Sequence, residues 1–377
     1  MYSISVCQTK AEKNLFEKVA EILHQSLVDF IPPFPGSIAK FLDSESEFQR
    51  IHGPILALIA WENGKPVGRL AAIVNRSHNI YHQDTTGFFG FFACIDSCEV
   101  AQALFSKAET WLREQGCTSI RGPYNPSINE ECGLIVEGFE GPPFVGMTWN
   151  PAYYEPLLQH CGLSRIREMV AFLLDTTKPS PDRVLRILER LARRGKMTKR
   201  SIQFSRLNEE LELLQYLYNS TLDRNWGFVP ISYADLHHSA DEFRYVADPN
   251  MIMMTLDRGK PAAFVINFSN FQEILLAAKH VPAWLRLPYL LFKMKTHRYR
   301  TSRLAVLGVA PDYRDQGLSA WLMGETMKRS NERYQEIEIS WIEGNNDEII
   351  RNSEMMGGRI YRHYAIFEKA ILPALIS

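Results

Sequence analysis

Apolar and polar positions along the chain fall into blocks whose order repeats once. Residues 2–7 read as a strand, and residues 11–27 as a helix with Leu15, Val19, Ile22 and Leu23 at helical spacing. A strand pair is predicted around Gly64 and Lys65, then an apolar strand over 87–95. Asp96 and Ser97 are a predicted cap for a helix over 100–115, with Gly116 as its stop. A strand starts over 118–121, a helix is predicted over 150–160, and 169–174 reads as the strand closing this half. The second half predicts a strand over 201–207, a helix over 209–218 and a strand pair around Gly259. An apolar strand over 304–309, a helix over 318–330 and a strand over 336–342 follow. A helix over 347–356 and a last strand over 361–368 complete the order. Mixed strands and helices in this sequence predict an α/β (α+β) unit with helices covering a sheet.

The repetition extends to individual residues. Gly64-Lys65-Pro66 aligns with Gly259-Lys260-Pro261 at an offset of 195, and Asn150 and Gly162 align with Asn346 and Gly358 at 196. Two matches at nearly one offset indicate tandem halves. The boundary is expected at 175–181, where two prolines and Ser180 give the chemistry of a linker. The expected domains are 1–177 and 182–377, the second carrying an insertion at about 271–298 that the first lacks. That insertion holds Trp284, Leu287, Tyr289, Leu290, Leu291 and Phe292, and reads as a lid, a wall of an acyl pocket or extra core.

Length and composition fit this division. The chain has 377 residues, and about 100–200 residues per domain gives two domains. With 46% apolar and 23% charged residues it is neither disordered nor fibrous. A net charge of −1 argues against nucleic acid as a partner. The N-terminal segment has no basic stretch followed by an apolar one, as a secretory signal would. Apolar runs such as 55–61 fall far short of the ~20 residues that span a bilayer, so no membrane span is expected. All six cysteines lie in the first 161 residues without a C-x-x-C pair, and are expected to be reduced, structural thiols of a cytoplasmic protein. The ten histidines show no metal-ligand spacing, and no metal is expected. Between Arg183 and Arg200 eight basic residues face only Glu189, with Val184, Ile187, Leu188 and Leu191 at helical spacing. This reads as a basic amphipathic helix with a solvated face.

The strongest local signal lies where the strand 304–309 gives way to the helix starting near Gly317. Such a loop presents free N–H groups and the positive end of a helix dipole, an arrangement suited to phosphate. Arg314-Asp315-Gln316-Gly317-Leu318-Ser319, with Val309 and Pro311 before it, resembles the coenzyme A loop of the GNAT-type N-acyltransferase superfamily. The resemblance implies two tandem GNAT-like domains, each a mixed, mostly antiparallel sheet flanked by helices. It implies that Val309 pairs with the pantetheine arm and that the N–H groups from Asp315 to Ser319 hold the pyrophosphate, with Arg314 adding charge. Asn346 matches an asparagine that the superfamily often sets against the cofactor. Acetyl-CoA or another acyl-CoA is the implied donor, and a small-molecule or peptide amine the acceptor.

The first half resembles the same fold without that loop. Asp96 and Glu99 stand where pyrophosphate would sit, so one coenzyme A per chain is expected, in the second half. Segments 122–138 and 225–230 resemble signatures of a bacterial two-domain family. Asn125, Asn129 and Glu130 form a polar cluster read as candidate acceptor-binding residues. Glu338 and Ser340 alternate onto one strand face, and with Glu343 and Tyr361 they are the candidate catalytic groups. An amine nucleophile starts as ammonium with a pKa near ~10.4 and must lose a proton, so carboxylates are wanted. The superfamily often reprotonates the thiolate with a tyrosine, whereas Ser353 occupies the matching position. A non-catalytic acyl-CoA-binding sensor is therefore the rival reading, and an aminoacyl-tRNA-dependent transferase, which generally lacks the Arg-x-x-Gly loop, a more remote one.

Overall fold

A computed structural model describes residues 2–178, 181–193, 197–243 and 247–372. Residues 179 and 180 of the predicted linker, 194–196 of the basic helix, and 1 and 373–377 at the domain ends lie outside these. Along the chain run β1 (Tyr2–Val6), α1 (Lys10–His24), β2 (Ile55–Glu62), β3 (Lys65–Val74), β4 (Thr86–Cys94), α2 (Cys98–Glu114), β5 (Ser119–Gly122), α3 (Tyr154–His160) and β6 (Ser164–Asp175). Then come α4 (Asp182–Arg193), β7 (Met197–Ser201), α5 (Leu207–Thr221), β8 (Ile252–Asp257), β9 (Lys260–Ser269), α6 (Gln272–Ala278) and α7 (Ala283–Thr296). The chain closes with β10 (Thr301–Val309), α8 (Leu318–Ser330), β11 (Glu336–Glu343), α9 (Asp347–Met355) and β12 (Arg359–Ala370).

Two compact units result. The first gathers residues up to Glu168, Leu275–Leu290 and the segment from Tyr364 onward; the second gathers Met169–Ile274 and Leu291–His363. In the first unit β1 to β5 lie side by side, antiparallel except for the parallel β4–β5 pair, and the end of β12 adds beside β5. Helix α2 packs Val100, Leu104, Phe105 and Leu112 onto this sheet. In the second unit the order is β6-β11-β10-β9-β8-β7. Helix α8 covers one face through Leu322 and Met323, and α5 covers the other through Leu211, Leu214 and Leu217. Both hairpins named by the repeated turn form, with positive φ at Asn63 and Gly64 and again at Arg258 and Gly259.

Four predicted elements come out differently. The basic helix expected over 183–200 runs over Asp182–Arg193, and Met197–Ser201 is β7, paired with β8. Residues 169–174, expected to close the first half, pair instead with β11 in the second unit, from Met169 opposite Glu343 to Asp175 opposite Glu336. The strand expected over 201–207 ends at Ser201, and Phe204–Arg206 is a 3-10 turn leading into α5. The helix expected from Asn150 begins at Tyr154, because the Asn150 side chain is occupied with the N–H and C=O of Ile135. Five of the six cysteines are buried and none is bridged; burial pushes Cys7 up to about 12 and Cys117 and Cys161 up to about 11.

Candidate functional site

The second unit contains a parting of two parallel strands. β10 and β11 pair from Thr301 opposite Glu336 to Leu304 opposite Ile339, and each then continues without the other, to Val309 and Glu343. β9 still pairs β10 as far as Val309, so the opening lies on the β11 side. Strands that part leave main-chain donors and acceptors available to a ligand. Gly308 in this stretch packs tightly: a Cβ there would lie 2.1 Å from Thr221 Oγ1 at the end of α5.

Past Val309, a 3-10 turn over Pro311–Tyr313 leads to α8. Gln316 Nε2 braces the turn by donating to the Asp312 carbonyl at 3.1 Å. Asp315 and Gly317 both take positive φ, +60° and +80°, and Gly317 is the N-cap of α8 with no side-chain cap bond. The N–H groups of Leu318, Ser319 and Ala320 have no intrahelical acceptor by geometry, and the positive end of the dipole lies there. This suits an anion. Arg314 donates to the Thr221 carbonyl and to Asp223 Oδ1, both at 3.3 Å, and its Nη1 is buried without a hydrogen-bond partner among the described residues. Ser319 Oγ donates to the Glu348 carboxylate and accepts from Asn352 Nδ2 at 3.2 Å, tying α8 to α9. Asn346 caps α9, its Oδ1 accepting from the Ile349 N–H at 3.3 Å.

The first unit has the same parting in a filled form. β4 pairs β5 only from Thr86 to Phe88. Beyond it, the Cys94 N–H donates to Tyr154 Oη at 3.0 Å, and Tyr153 Oη donates to the Cys94 carbonyl at 2.8 Å. The N-terminus of α2 is capped by Ser97, whose Oγ accepts from the Val100 N–H and donates to Glu99 at 2.8 Å. Protein groups thus occupy the parting in the first unit.

The expected catalytic groups converge in part. Glu338 is fully buried; Ser340 Oγ and Tyr361 Oη both donate to its carboxylate. Arg303 Nε lies 3.8 Å from Glu338 Oε1 and donates to Ser340 Oγ at 2.9 Å. Burial raises the Glu338 carboxyl above its ordinary value, against the opposing pull of Arg303, Ser340 and Tyr361. Glu343 stands apart, half-buried at the end of β11, and its Oε1 accepts from the Trp226 N–H at 2.8 Å. Ser353 is fully buried and bonds the Ile349 carbonyl inside α9, so its hydroxyl is committed to its own helix. In the first unit, Asn125 Oδ1 accepts from the Phe91 N–H at 2.5 Å and supports the positive φ of Phe91. Asn129 and Glu130 lie in the adjacent turn, where their backbone N–H groups bond Ser127 Oγ and the Ser127 carbonyl.

Several residues of these two sites escaped sequence reasoning: Arg303, Trp226, Tyr153 and Tyr154. Arg303 carried a signal, the one charged residue of its strand, next to the apolar run Leu304–Leu307, and an arginine is rarely buried without a partner. Among the described residues no cluster of side chains could hold a metal.

No family model matches the chain. The protein YghO of Escherichia coli (strain K12) is 31% identical over 327 residues, 84% of this chain and 82% of that protein. The bacterial ceramide synthase of Caulobacter vibrioides (strain NA1000 / CB15N) is 30% identical over 335 residues, 85% of each. A solved tandem GNAT protein from the clavulanic acid biosynthesis pathway shares the fold over 100% of both chains, with a TM-score of 0.60 at 10% identity.

Proposed function

The chain belongs to the family of YghO and the bacterial ceramide synthase and has the fold of the tandem GNAT proteins, and on that premise we propose that it moves an acyl group from acyl-coenzyme A to an amine. The observation that carries the reading is the contrast between the two partings. One ends at an uncapped, glycine-led helix N-terminus; the other is closed by Ser97, Tyr153 and Tyr154. On this reading residues 182–377 hold the donor and residues 1–177 are a degenerate copy that binds none.

The pyrophosphate rests on the N–H groups from Asp315 to Ser319, with the Arg314 side chain released from Asp223 to join it. The main chain near Val309 pairs with the pantetheine arm and polarises the thioester carbonyl, where charge develops during attack. Asn346 lies at the start of the helix that follows β11. Glu343 takes the proton from the ammonium, directly or through water. The amine nitrogen then attacks the carbonyl carbon; the C–N bond forms, the C–S bond breaks, and the thiolate leaves. Glu338 is enclosed by Ser340, Tyr361 and Arg303, and acts by holding Tyr361 in place rather than by meeting the amine. Ser353 donates to its own helix, so the proton for the thiolate comes from another group; Tyr361 is the candidate, its hydroxyl turning from the Glu338 carboxylate to the thiolate.

One relative is named a ceramide synthase. A ceramide is an amide of a long-chain amino alcohol, so long-chain amino alcohols head the acceptors to be tried. The experiment is release of free thiol from acetyl- and long-chain acyl-CoA across an amine library. Turnover with an amine supports the reading; tight coenzyme binding with no thiol release across the library replaces it with a sensor.

A further inference from the structure

Helix α7 presents its apolar stripe to solvent. Trp284, Leu287, Pro288, Leu291 and Phe292 recur at i, i+3, i+4, i+7 and i+8, the spacing that in a packed helix faces the core. Here Leu290, off that stripe, is the buried residue, while Trp284 is 78% exposed and Phe292 63%. Leu285, Leu287 and Leu291 are also exposed. In and just after α1, Ile22, Leu27 and Val28 are also exposed, Val28 at 82%. Two bonds hold the segments together: Lys279 Nζ donates to the Leu27 carbonyl at 2.5 Å, and Arg286 pairs with Glu21 at 2.9 Å. An exposed apolar stripe of this kind marks an interaction site.

Charge selects the occupant. From Lys279 to Arg300 there are six lysines and arginines and no aspartate or glutamate. Lys295 and Arg298, beyond the apolar stripe, are exposed. A tryptophan and large aliphatic residues on one face, with cations beside them, is the composition of a helix lying in the plane of a membrane interface. The cations match anionic headgroups. The 14-residue helix is too short to cross a bilayer, and among the described residues no helix is long and apolar enough to do so. We propose that α7 is a docking surface for an anionic phospholipid bilayer. The proposal stands on exposure and charge alone and does not depend on acyl transfer.

Co-sedimentation of the full chain with phosphatidylglycerol–phosphatidylcholine vesicles tests it. The expected result is binding that weakens with added salt and with vesicles of phosphatidylcholine alone. The double variant Trp284→Ser/Phe292→Ser should lose about tenfold or more in partitioning. Lys293→Gln/Lys295→Gln should lose about fivefold per charge. Exposed sites should leave the melting temperature and circular dichroism of Trp284→Ser/Phe292→Ser unchanged, so lost binding is not lost folding. Absence of binding to the anionic vesicles, or equal binding by both variants and the parent, overturns the proposal. So does a parent that fails to bind vesicles yet forms a dimer, by light scattering, that Trp284→Ser/Phe292→Ser dissolves; the face would then belong to a second copy of the chain.

Discussion

Replacing Gly317 tests the donor site at its narrowest point. Gly317 holds φ +80° and ψ 16° at the N-cap of α8, immediately before the three N–H groups offered to an anion. An L-residue in that region costs about 1–2 kcal/mol, and a β-branched one more, because Cβ crowds the adjacent carbonyl. The loop can escape this cost only by rotating out of the left-handed region, which turns the first-turn N–H groups away from a common point. Gly317→Ala should therefore weaken acetyl-CoA binding by roughly 5- to 30-fold, the equivalent of about 1–2 kcal/mol. Gly317→Val should weaken it further. Isothermal titration calorimetry gives the affinity, and thermal melting checks that α8 remains folded, its buried face from Leu322 to Met327 being untouched. Equal affinity for Gly317→Val and the parent would show that the loop does not approach the donor's phosphates.

Other outcomes follow from the same geometry. Titration with acetyl-CoA should give one site per chain, since Tyr153, Tyr154 and Ser97 fill the counterpart; two sites would refute that division. Glu343→Gln should lower kcat by about 10²-fold or more while leaving acyl-CoA affinity alone, and an unchanged rate removes Glu343 from the proton transfer. Burial lowers His24 from 6.5 to about 4, so the stability it confers is complete above 6.5 and is lost as pH falls toward 4. Linkage puts that loss at about 2 kcal/mol by pH 5, and urea denaturation should find it reduced by that amount in His24→Phe. The raised Glu338 carboxyl has the opposite sense: its contribution is present at low pH and lost as pH rises through its folded value. Glu338→Gln should flatten that decline, and an unaltered pH profile would contradict the assignment.

Local chemistry made much of this architecture legible. Helix α8 runs over the residues predicted for it, because Gly317 and an apolar strand bracket it in sequence. The paired turns were readable because Gly64 and Gly259 each supply a left-handed conformation within two residues. Strand alternation placed Glu338 and Ser340 together, and the structure adds Arg303 and Tyr361 to them. What sequence withheld was distant. Periodicity marks 169–174 as a strand but carries no address for its partner, which lies more than 150 residues away at Glu336–Glu343. Asn125, read as a candidate acceptor ligand, also holds the Phe91 N–H, a support for a residue at positive φ that spacing does not reveal. Ile202, Gln203, Phe204 and Ser205 alternate as in a strand, yet so short a stretch does not distinguish the two periodicities.

The strand beside β5 is supplied by Phe367–Ala370, fixed by the Arg121–Glu368 pair and by Lys369 bonding the Cys161 carbonyl. During translation, then, the N-terminal unit leaves the ribosome with an open sheet edge. Its last strand is made about 200 residues later, which at ~5–20 residues per second is roughly 10–40 seconds. Throughout that interval β5 offers unpaired backbone to any passing strand, a hazard that folded chains ordinarily cover. A nonsense codon late in the reading frame would therefore damage the beginning of the protein as well as its end.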